Sequence, residues 1–259
     1  WERSKHVPQE RSDFICKQLN IFTNSAEAKF VDFEILKRNN TRFDEHGLIG
    51  RVCYGGFDLS LTEDFTATAL EFPLDDGRIF WLGHTWIPEK KVQADNEKIP
   101  YYEWAMQGLL TIEPGEYVRY ESVLEWFRKM RDKFEIWSIG YDPANAMRLV
   151  QSLEAEGFPM HLVRQGPLTL NAPMKDLREQ LLDGRVVTNE NPLCLWYLDN
   201  VKIRQGVRDA EHENWLPTKA GRYSKIDGFA AFLNAHAEQM RLNPAGQTAD
   251  GDGVTLIAL

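Results

Sequence analysis

Three aspartates stand where extended apolar segments end or a helix opens. Asp58 closes Val52-Cys53-Tyr54-Gly55-Gly56-Phe57, Asp142 closes Ile136-Trp137-Ser138-Ile139-Gly140-Tyr141, and Asp227 follows Lys225-Ile226 at the head of an apolar helical run. A single aspartate in such a place is usually a turn former or a helix cap. Three at comparable junctions, far apart in the chain, carry a stronger expectation, that folding gathers them into a set of hard oxygen ligands. Such a set without His or Cys suits Mg2+ or Mn2+, which keep several of their waters. Two ions about 4 Å apart can activate a water and steady the leaving oxygen of a phosphodiester.

Little competes with this chemistry. The sequence holds no Ser-His-Asp spacing, no Gly-rich phosphate loop and no zinc motif. The six histidines are scattered and are expected at the surface or in packing, and Gly55-Gly56 is expected to mark a close backbone approach at a strand. Net charge is −9, which argues against a phosphate polymer as partner, since phosphate binding draws on Lys and Arg. Its distribution softens that objection. Between residues 201 and 225 six bases, Lys202, Arg204, Arg208, Lys219, Arg222 and Lys225, outnumber Asp209, Glu211 and Glu213, and they lead directly to Asp227.

The chain has 259 residues, 43% of them hydrophobic, enough to bury one large core. No apolar run reaches membrane-spanning length and the opening residues form no signal peptide, so a soluble protein is expected. There is no initiating Met, and the expectation is a piece of a longer protein. Cys16, Cys53 and Cys194 are odd in number and widely spaced, which fits a reducing cytoplasm better than a disulfide framework.

Periodicity supplies the elements that must position the aspartates. Strands are expected over 52–58, 65–72 and 78–86, the last two joined by an Asp75-Asp76-Gly77 turn, as an antiparallel meander. Helical spacing follows over 102–109 and 122–134, then the strand that ends at Asp142. Pro143 suits a first helical position, predicting a helix over 144–156 stopped by Gly157. A strand over 160–163, a loop through Pro167 and Pro173, a helix over 174–182, a short strand over 185–188, a helix over 192–204 and a last helix over 225–241 complete the order. The fold class is α/β, with a mixed sheet flanked by helices. Residues 1–48, with balanced charge, read as a linker or adapter of helices and loops, 49–242 as the main domain and 243–259 as a Gly- and Asp-rich tail with an apolar end.

Taken together, certain segments resemble a known family. They are Tyr54-Gly55-Gly56-Phe57-Asp58-Leu59-Ser60, Glu63-Asp64-Phe65-Thr66-Ala67, Gly140-Tyr141-Asp142-Pro143, Leu181-Leu182-Asp183-Gly184 and Lys225-Ile226-Asp227-Gly228-Phe229-Ala230-Ala231. They are similar to the nuclease part of the large terminase subunit of tailed bacteriophages. That resemblance implies a ribonuclease H-like fold and an endonuclease that cuts concatemeric viral DNA during packaging. It implies that Asp58, Asp142 and Asp227 hold Mg2+ or Mn2+, two ions in all, with Asp64 as a further ligand or an orienting group. Lys219, Lys225 and Arg222 are the expected DNA contacts. Implied partners are double-stranded DNA, an ATPase domain on the N-terminal side, the small terminase subunit and the portal protein, with no membrane. The implied location is the host cytoplasm, transiently at the procapsid. The sequence contains no Gly-x-x-x-x-Gly-Lys-Ser/Thr motif, so ATP hydrolysis is not expected of this chain. Two other readings stay open from the residues alone: a junction-resolvase-like nuclease using the same carboxylates, and a non-catalytic module that grips DNA or docks on the portal.

Overall fold

A computed structural model describes residues 27–60, 64–95, 99–209, 212–221 and 224–243. In chain order the strands are β1 (Glu27–Lys29), β2 (Val52–Asp58), β3 (Thr66–Pro73), β4 (Ile79–Pro88), β5 (Leu110–Glu113), β6 (Glu135–Tyr141), β7 (Met160–Leu162), β8 (Val186–Val187), β9 (Val201–Asp209) and β10 (His212–Lys219). The helices are α1 (Phe33–Asn39), α2 (Glu89–Ala94), α3 (Tyr101–Met106), α4 (Tyr120–Arg131), α5 (Met147–Ala155), α6 (Pro167–Leu182), α7 (Pro192–Asp199) and α8 (Asp227–Leu242).

The main sheet has the order β5-β4-β3-β2-β6-β7, with β8 added beside β4. β2, β3 and β4 form the expected antiparallel meander, and β6 joins β2 in parallel. Apolar residues face both ways from this sheet. Phe57, Leu70, Phe72 and Phe80 pack with Phe127 of α4 and Leu149 and Leu153 of α5 on one side. Ala67, Ala69 and Trp81 pack with Phe229 and Phe232 of α8, Leu177 of α6 and Tyr197 of α7 on the other. Full burial of each large side chain contributes about 1.5–3 kcal/mol. Trp81 and Phe232 stack with ring centres 4.4 Å apart, fixing α8 against β4. Residues 27–48 belong to the same body, with Phe30, Leu36 and Leu48 almost fully buried.

α8 lies unusually close to the sheet because two strand positions have no side chain. A Cβ on Gly56 would come within 2.1 Å of the Ala231 carbonyl, and one on Gly140 within 2.5 Å of the Asn234 carbonyl. The close approach expected at Gly55-Gly56 is therefore real, with Gly56 as the residue that admits the helix.

The structure departs from the expected elements in several places, among them β1, which lies in a segment expected to hold helices and loops. The helix over 192–204 ends at Asp199, and Val201 begins a strand. Val201 and Ile203 alternate with Lys202 and Arg204, a period of two that buries the β-branched residues and favours extended chain. β9 and β10 form an antiparallel hairpin, joined by β1, so part of the basic stripe is strand and not loop. α6 begins at Pro167 and carries Pro173 inside it, where a loop was expected. Pro167 suits the first position, and Pro173 is buried in the core, burial that offsets the lost backbone bond. Regular helix after Asp142 starts only at Met147, because Asn145 takes a left-handed φ of 57°. The strand β5 had no clear periodic signal and was not anticipated. The expected tail over 244–259 lies outside the described residues.

Candidate active site

Strand alternation explains why the aspartates share one face. Gly56 and Asp58 are two residues apart on β2, as Gly140 and Asp142 are around the end of β6, so each aspartate faces the side its glycine faces. That is the α8 side. Gly56 lies opposite Gly140 in the parallel register, which brings Asp58 and Asp142 level at the same strand ends. Asp227 is the first residue of α8 and stands close enough to Asp58 for their charges to interact.

Their electrostatics are those of crowded anions. Burial, with the charges of Asp142 and Asp64, pushes the Asp58 carboxyl up to about 7, against the pull of Lys219 and the Leu59 N–H. Burial, then Asp64 and Asp58, holds Asp227 well above the usual carboxylate range. Asp227 is 5% exposed, and its Oδ2 has no hydrogen-bond partner among the described residues. A buried, unpartnered acceptor among like charges is what a cation ligand leaves behind, and an all-oxygen donor set fits a hard divalent ion. Asp142 is half-buried, and its Oδ1 accepts from the Ala144 N–H at 2.9 Å, so it also serves as the turn former a bland reading assigns it. Among the described residues no three Asp, Glu, His or Cys side chains converge as a ready-made metal cage.

Asp64 has a different set of partners. Lys219 lies 2.8 Å from its Oδ2 and Lys225 2.9 Å from its Oδ1. Burial works against the Asp64 charge, but these two hydrogen bonds outweigh it and hold the carboxyl below its ordinary range. Asp64 Oδ1 also accepts from the Phe65 N–H at 3.1 Å, at the start of the next strand. Lys219, at the base of the β9–β10 hairpin, also feels Asp227 and Asp58, and its ammonium is held above its usual range against the cost of burial. Both expected lysines thus stand at the acidic pocket. Arg222 lies outside the described residues.

Two further residues, Tyr197 and Thr85, were assigned no role by the sequence reading. Tyr197 of α7 is buried, bonds Thr85 of β4 at 3.2 Å, and packs against the first turn of α8. A Cβ on Gly228 would meet its ring at 2.3 Å. The glycine immediately after Asp227 was the available signal. Gly228→Ala is expected to push the helix start off the ring and lower stability by about 1–3 kcal/mol, an overpacking cost. Denaturant unfolding checks this, and the combined Gly228→Ala, Tyr197→Leu protein should recover part of the loss. A single variant as stable as wild type would show that the ring is no stop.

The sheet order, the parallel β2–β6 pair and the helix laid across them make this a ribonuclease H-like fold. More narrowly, the chain belongs to the family described as terminase large subunit, endonuclease domain, which it matches over residues 5–241. It is 28% identical over 185 residues to the terminase large subunit of Enterobacteria phage HK97, covering 70% of this chain and 36% of that protein. The crystal structure of the HK97 bacteriophage large terminase superimposes with a TM-score of 0.72 at 23% identity, over 92% of this chain and 49% of that one. The large terminase nuclease from thermophilic phage G20c, solved with bound magnesium, shares the fold at TM-score 0.50 and 12% identity, over 84% of this chain and 99% of that one. The chain spans half or less of the length of its HK97 relative. No helix among the described residues is long and apolar enough to cross a membrane.

Proposed function

We propose that this chain is a divalent-metal-dependent endonuclease that cuts double-stranded viral DNA during genome packaging. The observation that carries the reading is the buried Oδ2 of Asp227, unpartnered among the described residues, at the head of α8 and within charge range of Asp58. These three carboxylates would hold Mg2+ or Mn2+. When bound, two such ions supply water activation and stabilisation of the leaving oxygen. Asp64 holds Lys219 and Lys225 beside the acidic pocket, where their ammonium groups receive a backbone phosphate and offset the negative charge that the substrate brings. The products are a 5′-phosphate and a 3′-hydroxyl. An ATPase domain outside this chain, the small terminase subunit and the portal protein supply the grip on DNA that a chain of net charge −9 lacks, in the host cytoplasm and at the procapsid.

Plasmid incubated with the purified chain and Mg2+ or Mn2+ is expected to be nicked and linearised, and chelator is expected to stop it. Metal-dependent binding without cleavage would return the chain to a docking role. A second outcome tests the lysines. Lys219→Ala combined with Lys225→Ala is expected to slow cleavage about tenfold at ~0.15 M salt and less at low salt, where remaining positive charges reach further. A double variant with unchanged rates across a salt series would move the DNA track elsewhere, toward exposed Arg164 and toward Lys175, which lies over the Trp215 ring.

A further inference from the structure

Along its outer edge β4 is paired twice and left open between. β8 takes Ile79 and Phe80, β5 takes Thr85 to Pro88, and both run parallel to β4. Among the described residues no strand meets Trp81, Leu82, Gly83 or His84 on that edge. Ile79 gives its N–H outward, to the Arg185 carbonyl, opposite Pro73, which has none to give on the other side. Alternation along the strand then turns the N–H and C=O of Gly83 outward as well.

A cavity of about 250 Å3 opens at this gap, with Glu45, Trp81, Gly83, Leu109, Trp126 and Asn189 in its wall. Trp81 is 2% exposed, and its indole N–H has no hydrogen-bond partner among the described residues. That N–H is enclosed on the α8 side of the sheet, 3.0 Å from where a Cβ of Gly83 would stand. The wall is built with care. Asn189 and Glu190 both hold left-handed φ values, 52° and 56°, a conformation that persists where surrounding contacts enforce it. Asn189 accepts from the Phe43 N–H and donates to Glu45, and the Glu45 carboxylate is exposed and has no ion pair among the described residues. The His84 ring is already committed, to Thr111 and to the Gly108 carbonyl.

We propose that this gap receives a short extended segment of another polypeptide, about two or three residues long, that completes the sheet edge between β8 and β5. Gly83 exchanges backbone hydrogen bonds with it. An apolar side chain of the segment packs on Trp126, and a neighbouring Lys or Arg pairs with Glu45. None of these residues belongs to the acidic site, so the proposal stands whether or not the chain cuts DNA.

A random octapeptide display library, panned on the intact chain, tests this. The expected result is enrichment of an apolar β-former beside Lys or Arg. The enriched peptide, made synthetically, should slow hydrogen exchange at the Gly83 amide, and it should bind at least tenfold more weakly to the exposed variant Glu45→Lys. N-methylation of its central backbone nitrogens should abolish binding to wild type. A library that yields no binder sensitive to both changes overturns the proposal. So does a Gly83 amide already protected in the free chain, since protection lost on dilution would assign the gap to a second copy and persistent protection to the chain's own residues.

Discussion

Asp227→Asn is expected to slow DNA cleavage by more than about a hundredfold while leaving the fold intact. The amide keeps the shape of the carboxylate but not the charge that would hold a cation, and removing a direct ligand should exceed the 10–100-fold losses typical of groups that only support one. Its environment sets the second half of the expectation. Burial and the charges of Asp64 and Asp58 disfavour an ionised Asp227, so losing that charge relieves repulsion, and the melting temperature without metal should hold or rise. Asp58→Asn and Asp142→Asn should lose cleavage alike, whereas direct binding of Mn2+ should weaken in all three. Wild-type cutting rates in any two of these proteins would dismiss the assigned set.

The largest expected effect on stability lies far from that pocket. His236 of α8 is fully enclosed, with Nδ1 3.0 Å from Glu71 Oε2 on β3 and Nε2 3.0 Å from Asp176 Oδ2 on α6. Burial alone would hold the ring neutral, but the Glu71 charge and the bonds to both carboxylates outweigh it and raise its pKa to about 10. Ring and carboxylates thus tie β3, α6 and α8 together as a charged bridge. His236→Ala leaves Glu71 buried without its partner and should cost about 3–5 kcal/mol at pH 7. The pH dependence has a definite sign. Because the folded pKa lies above the unfolded value near 6.5, the stabilisation is complete below about pH 6.5 and fades as pH rises toward and through about 10. Denaturant unfolding of wild type and variant should therefore show a gap that narrows between about pH 6.5 and about pH 10 and levels off above that. A gap of constant width would mean that the ring acts by packing alone.

Much of the site was legible because its geometry is local. Two-residue alternation and a glycine before each strand-end aspartate are enough to put Asp58 and Asp142 on one face, and the apolar run after Asp227 announces α8. The hairpin was hidden by its neighbour. Leu193 to Leu198 has strong helical character, and the short Val201–Ile203 alternation that follows reads as its continuation until the pairing of β9 with β1 and β10 is seen. Pro167 and Pro173 misled for the opposite reason, since local preference argued for a loop and burial prevailed. The role of His236 had no signal at all. Its partners, Glu71 and Asp176, lie 165 and 60 residues away, and only the fold makes them neighbours.

Gly56 and Gly140 bear on the pocket in another way. Two of the proposed ligands ride on the sheet and the third on a helix, and the gap between these bodies is gauged by backbone meeting backbone, with no flexible side chain between as a spring. Hard contact of this kind has almost no play. The dimensions of the acidic pocket are in effect machined into two positions that carry no chemistry, and a single added methyl at either would throw the assembly out of tolerance while every carboxylate remained in the sequence.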